Sequence, residues 1–272
     1  MNADKSTPDP GLTVPAPEAP KSLLYTMASD GLTSAESVAR FRSGCSRLGL
    51  ELSSEQIRAL DEFARILLDQ NRVLNLTAIT DLNEVFSRHF LDSLTVALVL
   101  QRDVDSALTV ADVGSGGGIP GIVLAQMFPA WRLTLVESVR KKAAFIRRAS
   151  EQLNLGNVTV RAERAEALAD ARDAHDVVVA RAVSETRVVV EYCAPLTRPG
   201  GRIILYKSGK IDEELTRSAR AMDRLACTLD EVMTVPEDLG LPRDRKLVVI
   251  RKTGTTPEGF PRRIGLARSR PL

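Results

Sequence analysis

The sequence predicts an α/β fold built on a mostly parallel sheet, and three observations lead there. From Leu108 onward, short β-rich runs alternate with helix-period stretches, the order expected of βαβ units with helices on both faces. The first of these runs ends directly in ADVGSGGGIPG, Ala111 to Gly121, a glycine-rich turn placed where a strand hands over to a helix. The last two β-rich runs have only a turn between them, so they read as an antiparallel hairpin closing one edge.

Taken in order, residues 1–32 are rich in proline and polar residues and bury too little surface to offset the entropy of ordering, so they are read as a disordered tail. From Thr33 to about Arg102 the pattern is helical and is read as an N-terminal helical cap. Thr33 with Glu36, Ser53 with Gln56 and Asp81 with Glu84 have capping-box spacing, and Leu60, Phe63, Ala64, Leu67 and Leu68 share one apolar stripe. The strands follow as LTVADV (108–113), RLTLVE (132–137), NVTVRAE (157–163), HDVVVARAV (175–183), GRIILYK (201–207), ACTLDEVMTV (226–235) and RKLVVIRK (245–252). Residues 253–272 read as a basic C-terminal tail, with Arg262, Arg263, Arg268 and Arg270 against Glu258 alone.

The totals narrow the function. The chain has 272 residues, 44% hydrophobic and 26% charged, ordinary for a globular enzyme, and its formal net charge of +2 leaves any nucleic-acid argument to local clusters. No run is long and apolar enough to span a bilayer, and MNADKSTPDP lacks the features of a signal peptide, so a cytoplasmic protein without a membrane partner is expected. Three dispersed cysteines, Cys45, Cys193 and Cys227, fit buried thiols, and with only two histidines no metal site is expected.

The glycine turn carries the chemistry. Gly114, Gly116 and Gly118 follow the first strand, at the strand ends where open α/β sheets bind ligands, and their missing side chains would let a cofactor lie against the main chain. Gly116, Gly118 and Gly121 also satisfy G-x-G-x-x-G, with Glu137 where a dinucleotide fold places its ribose-binding acid. Pro120 at the helix start has no N–H for a pyrophosphate, and Asp112 suits a cationic ligand better than a phosphate. S-adenosylmethionine, with a sulfonium, an ammonium and a ribose diol, fits better than a nicotinamide dinucleotide.

DVGSGGGIPG, preceded by NLTAIT and RHFLDSL and followed by LVESVRKKAAFI, RAE, ARAV and YKSG, resembles the bacterial 16S rRNA guanine-N7 methyltransferase family, also called the glucose-inhibited division protein B family. The resemblance runs in order from about Ser54 to Lys252 and excludes the proline-rich N-terminus. It implies a class I S-adenosylmethionine-dependent methyltransferase fold: a Rossmann-like, seven-stranded, mostly parallel sheet with an antiparallel last strand. It implies methyl transfer from S-adenosylmethionine to N7 of a guanine in the 530-loop region of small-subunit rRNA. It also implies that Gly114 and Ile119 line the cofactor path, Glu137 holds the ribose, Ala165 and Glu166 meet the adenine, and Arg181 touches the cofactor; Gly116 is a cofactor-binding candidate from its place in the turn.

The residues add candidates of their own. Arg181 and Lys207 end the fourth and fifth strands, and His89 and Asp92 lie one turn apart on a helix before the sheet, so these are positioning candidates; each also reads as a structural charge. Asn75 in NLTAI is a loop cap or a site contact. Neither a Pro-Cys nucleophile nor an Asp/Asn-Pro-Pro-aromatic motif is found, which agrees with N7 methylation, a reaction that needs placement and no general base. Arg140, Lys141, Lys142, Arg147 and Arg148, with Lys252 and the C-terminal arginines, form basic clusters suited to RNA phosphates or simply to solvent. Two other readings stay open, a nicotinamide-dependent oxidoreductase and a non-catalytic ribosome-assembly factor. On the methyltransferase reading, Gly114→Val removes cofactor binding and leaves the fold intact.

Overall fold

The computed structural model describes residues 33–101 and 103–272; the proline-rich segment read as a tail, and Arg102 at the end of the expected cap, lie outside them. The helical region opens with α1 (Ala35–Arg47), capped by Ser34, whose side chain accepts from the Ser37 N–H. Thr33, expected to cap this helix, instead donates its hydroxyl to Asp61 at 2.5 Å. Ser53 and Gln56 form both halves of a capping box on α2 (Ser54–Leu74), and Asp81 caps α3 (Leu82–Val85) through the Glu84 N–H. From α3 the chain passes through one π-helical turn (Phe86–Leu91) into α4 (Asp92–Leu94), and α5 (Ala97–Leu100) follows. Such π turns cluster at functional sites, and this one holds His89.

The sheet then builds as β1 (Thr109–Val113), α6 (Gly121–Met127), β2 (Arg132–Val136), α7 (Arg140–Gln152), β3 (Val158–Arg161), β4 (His175–Arg181), α8 (Thr186–Cys193), β5 (Thr197–Ser208), α9 (Asp212–Arg224), β6 (Cys227–Thr234), β7 (Arg245–Lys252) and the short α10 (Leu266–Ser269). Its seven strands lie in the order β3-β2-β1-β4-β5-β7-β6, with β7 running against the other six. This is the class I methyltransferase arrangement the sequence implies. Strand order reverses between β1 and β4, the switch point beyond whose carboxyl ends open α/β sheets bind their ligands.

Period-2 alternation divides the strands between two cores. Val110, Val177, Val179, Ile204 and Leu247 face the cap, including α2, together with α6, in a core that continues without a break into Phe41, Phe63, Phe86 and Phe90. Ala111, Val113, Val178, Ala180, Ile203 and Leu205 face α8 and α9 on the other side. The rings of Phe41, Phe86, Phe90 and Phe63 follow one another at centroid separations of 5.2, 5.1 and 5.7 Å, which ties the cap together and sets it on the sheet.

The segment read as a basic tail is packed down. Arg172 donates to the carbonyls of Thr256, Pro257 and Phe260, Phe260 and Ala267 join the α8 core, and Arg262 forks onto Glu191. All three cysteines are free and buried, and burial pushes the Cys45 thiol up to about 12 and that of Cys227 to about 11. Among the described residues, no helix is long and apolar enough to cross a membrane, and no His, Cys, Asp and Glu cluster could hold a metal ion.

Candidate functional site

The glycine turn is not uniformly open. Gly114, Gly116 and Gly118 all hold the left-handed backbone, at φ of 76°, 56° and 79°. A β-carbon on Gly114 would lie 2.7 Å from Val183, one on Gly118 2.6 Å from Ile122, and one on Gly121 2.7 Å from Leu135. At Gly116 the nearest atom is the Gly114 carbonyl oxygen at 3.8 Å. Gly114 is exposed and Gly116 half-buried, but of these four Gly116 alone has room for a β-carbon, while at the others that position is taken by the protein's own packing. Gly114→Val strikes Val183 before it reaches any ligand; Gly116→Val meets no protein atom but strains the backbone at φ of 56°, so it probes the crevice once circular dichroism shows the fold retained.

Two carboxylates flank the turn. Glu137, 7% exposed at the end of β2, accepts from the Gly116 N–H at 2.9 Å and from the Val139 N–H at 2.7 Å, so it fixes the open glycine and keeps a second lone pair on each oxygen. Asp112 lies beneath the turn at 1% exposure; Oδ2 accepts from the Gly121 N–H at 3.0 Å and Oδ1 has no partner among the described residues. Burial pushes its carboxyl up to about 6 against the pull of the Gly121 hydrogen bond. The Gly121 N–H is thus engaged, and Pro120, the N-cap of α6, has none. Little is left at this helix start for a pyrophosphate.

His89, Asp92 and Arg181 come together although more than eighty residues separate the first two from the third. Arg181 donates through Nη1 to Asp92 Oδ2 at 3.0 Å and through Nη2 to His89 Nδ1 at 3.0 Å. Asp92 is 2% exposed and also faces Arg245 Nε at 3.5 Å. Burial, then the charges of Arg181, Arg88 and Arg245, hold the His89 imidazole down at about 3, so it is neutral. Its far nitrogen, Nε2, lies 2.6 Å from Thr77 Oγ1.

Lys207 does not join this group as a free cation. It bonds to Glu214 at 2.7 Å and to the Ser184 carbonyl at 3.1 Å, bracing β5 against α9 and the loop after β4. Of the two readings of Lys207, positioning candidate and structural charge, these contacts favour the second. Ala165 is buried just beyond β3, and Glu166 beside it accepts from the Gly265 N–H at 3.1 Å. Ile119 is buried in the core under the cap. Asn75 is the left-handed C-cap of α2, and Asn71 is the side chain that ties down the following loop.

Comparison with known proteins settles the kinship. The family profile described as rRNA small subunit methyltransferase G matches residues 56–241. Relatives bearing the name ribosomal RNA small subunit methyltransferase G include one from Carboxydothermus hydrogenoformans, 40% identical over 86% of this chain and 99% of that one. The chain belongs to the small-subunit rRNA methyltransferase G family. The Roseiflexus castenholzii relative is 41% identical over 82% of this chain and 95% of its own, and the Bacillus subtilis relative 34% over 86% and 98%.

In this member of the methyltransferase G family the basic clusters separate into two kinds. Arg140, Lys141, Arg147 and Arg148 are exposed on α7 and Lys142 is half-buried; none makes an ion pair among the described residues. Lys252, by contrast, is fully buried and donates to the Gly254 carbonyl, and Arg262 is paired with Glu191, so these two leave the RNA-facing set. Arg263, Arg268 and Arg270 remain exposed. Thr77, Asn71 and Arg245 are site residues that the sequence reading did not single out. Thr77 lies inside the quoted NLTAIT motif, and the antiparallel sense of β7 places its first residue, Arg245, among the carboxyl ends of the parallel strands.

Proposed function

We propose that the protein transfers a methyl group from S-adenosylmethionine to N7 of a guanine in the 530-loop region of 16S rRNA, and that it does so on the small ribosomal subunit in the cytoplasm. The observation that carries this reading is the bare Gly116 main chain held open beside Glu137 at the end of β2. Glu137 offers its remaining lone pairs to a ribose diol. The orphaned oxygen of Asp112 gives the floor of the crevice a negative bias suited to a cationic cofactor. Gly114 and Ile119 flank the path, Ala165 and Glu166 border the adenine, and Arg181, with two of its five N–H groups engaged among the described residues, keeps donors for the cofactor or the base. When bound, the cofactor supplies an electrophilic methyl group.

The remaining work falls to placement. Guanine N7 bears an exposed lone pair and has no proton to lose, so no base is required before or after attack. The crevice matches that demand: its imidazole is held neutral between Arg181 and Thr77, and its carboxylates serve the glycine turn. Arg140, Lys141, Arg147 and Arg148 on α7, which follows directly on β2, give a phosphate backbone a place to lie beside the crevice.

The test is incubation with small subunits from cells lacking the protein, with 7-methylguanosine located by mass spectrometry. A new modification in the 530 loop that depends on S-adenosylmethionine is expected; none, or one elsewhere in the rRNA, ends this reading. Parallel calorimetric titration should show binding of S-adenosylmethionine and no binding of a nicotinamide dinucleotide, with Gly116→Val abolishing the former.

A further inference from the structure

The hydrogen bonds around Thr77 leave one donor over. Its backbone is fully engaged by Asn71, whose Oδ1 accepts from the Leu76 and Thr77 N–H groups at 2.7 and 2.8 Å and whose Nδ2 donates to the Thr77 carbonyl at 2.9 Å. This clamp sets the loop against the glycine turn, where a β-carbon on Gly117 would lie 3.3 Å from Leu76. The side chain follows from the imidazole beside it. A guanidinium has no acceptor, so Arg181 Nη2 can only donate to His89 Nδ1. A neutral ring with a bare Nδ1 carries its proton on Nε2, and that N–H then donates to Thr77 Oγ1 at 2.6 Å. The Ile79 N–H donates to the same oxygen at 3.0 Å. Both lone pairs of the hydroxyl are filled, and its proton has no acceptor among the described residues.

We propose that Thr77 is a ligand-orienting donor, its hydroxyl proton directed to an acceptor oxygen of a ligand bound at the glycine turn, and that His89 is a positioning residue acting through Thr77 and Arg181. The inference rests on the cofactor site proposed above. The acceptor is either a carboxylate oxygen of the cofactor's methionine end or the carbonyl oxygen next to N7 on the target guanine, and both present the same chemistry to a hydroxyl. His89 touches neither. Its ring sets which way the Thr77 proton points and holds one arm of the Arg181 fork, while Asp92 holds the other.

The tautomer is read on the full-length wild-type protein by 15N NMR of the imidazoles. The His89 ring should show a protonated Nε2 and a bare Nδ1, unchanged between about pH 5 and 8. A proton on Nδ1 would overturn the proposal. The donor is tested with Thr77→Ser and Thr77→Val, and with Thr77→Ala if valine disturbs the loop. Thr77→Ser, which keeps the hydroxyl, should stay within about threefold of wild type, and the variants without it should lose about tenfold or more. A loss in S-adenosylmethionine affinity by calorimetry identifies the cofactor carboxylate. A loss in kcat/KM on unmethylated subunits with cofactor affinity kept identifies the base. Hydroxyl-free variants that match wild type in both, or a serine variant that loses as much as valine, would sink the idea. A wild-type protein that binds cofactor yet leaves subunits unmethylated would instead defeat the proposed reaction, with the tautomer and the cofactor titrations still standing.

Discussion

Two groups of cations, one at the strand ends and one on α7, carry positive charge, and the two flanks handle it in opposite ways. At the strand ends, Arg181 is held by Asp92 and His89, Arg245 faces the same aspartate, and Lys207 is paired with Glu214. On α7, Arg140, Lys141, Arg147 and Arg148 stand exposed with no acidic partner among the described residues. The difference follows from burial. A cation taken out of water needs a counter-charge at hydrogen-bond distance, whereas one on an exposed helix face is solvated and stays available to a polyanion. The lesson is that a count of lysines and arginines in a sequence measures potential, and depth in the fold decides which of them a nucleic acid can reach.

That contrast is exposed most severely by Asp92→Ala. It leaves Arg181 and Arg245 facing each other across a buried gap, and urea unfolding should show a loss of about 3–5 kcal/mol, with S-adenosylmethionine affinity falling too. A loss under about 1 kcal/mol would mean these cations need no partner. Arg262→Ala extends the test to the C-terminal segment. It strands Glu191, which is 1% exposed, and should cost about 3 kcal/mol, whereas Arg263→Ala should change stability by less than about 0.5.

His89 adds a pH signature to the engaged flank. Its imidazole stays neutral in the fold down to about 3 but takes up a proton near 6.5 when unfolded, so the unfolded state binds the extra proton between those values. Stability therefore rises with pH across that window, by up to about 1.4 kcal/mol per unit, and is lost as pH falls. Asp112 works the other way: its raised pKa means that the folded state binds the extra proton between 3.8 and about 6, so its contribution weakens as pH rises. His89→Gln should abolish the first slope and expose the second, which urea midpoints at several pH values would read. An unchanged slope would show that the ring titrates normally.

The smallest effect on stability is expected on the free flank. Arg140→Ala combined with Lys141→Ala should leave the unfolding free energy within about 0.5 kcal/mol of wild type, weaken binding to small subunits, and flatten its dependence on log salt by up to about 2. A destabilisation above about 1 kcal/mol would place these residues with the engaged cations.

Much of this architecture was legible in local pattern. All seven strands lie where alternation and glycine placed them, because a half-buried strand must alternate and a strand-to-helix turn at φ near 76° selects glycine at position 114. The boundary of β5 was missed: it starts at Thr197, where residues 197–200 pair irregularly beside His175, and the apolar pattern begins only at Gly201. At the site, spacing led to Glu137, Asp92, His89 and Arg181. It did not show that Gly118 is bare for Ile122 and that Gly116 is open to the crevice, nor that Lys207 and Lys252 are engaged. Arg245 and Thr77 carry no local signal: Arg245 is one charge in the run Arg243–Lys246 and Thr77 one hydroxyl beside Asn75, and their partners, Asp92 and His89, lie far along the chain.

The sequence by itself determined the order of strands and helices, the caps at Ser53 and Asp81, and the placement of a glycine turn after β1, since each depends on residues within a few positions of one another. Only the tertiary structure decided that Arg181 meets His89 and Asp92 and that a carboxylate floor underlies the turn. It also sorted the cations into those neutralised inside the protein and those left to solvent. The reason is the reach of the interactions: hydrogen bonds and ion pairs act over a few ångströms, and which groups come that close depends on how distant segments stack, which no local pattern encodes.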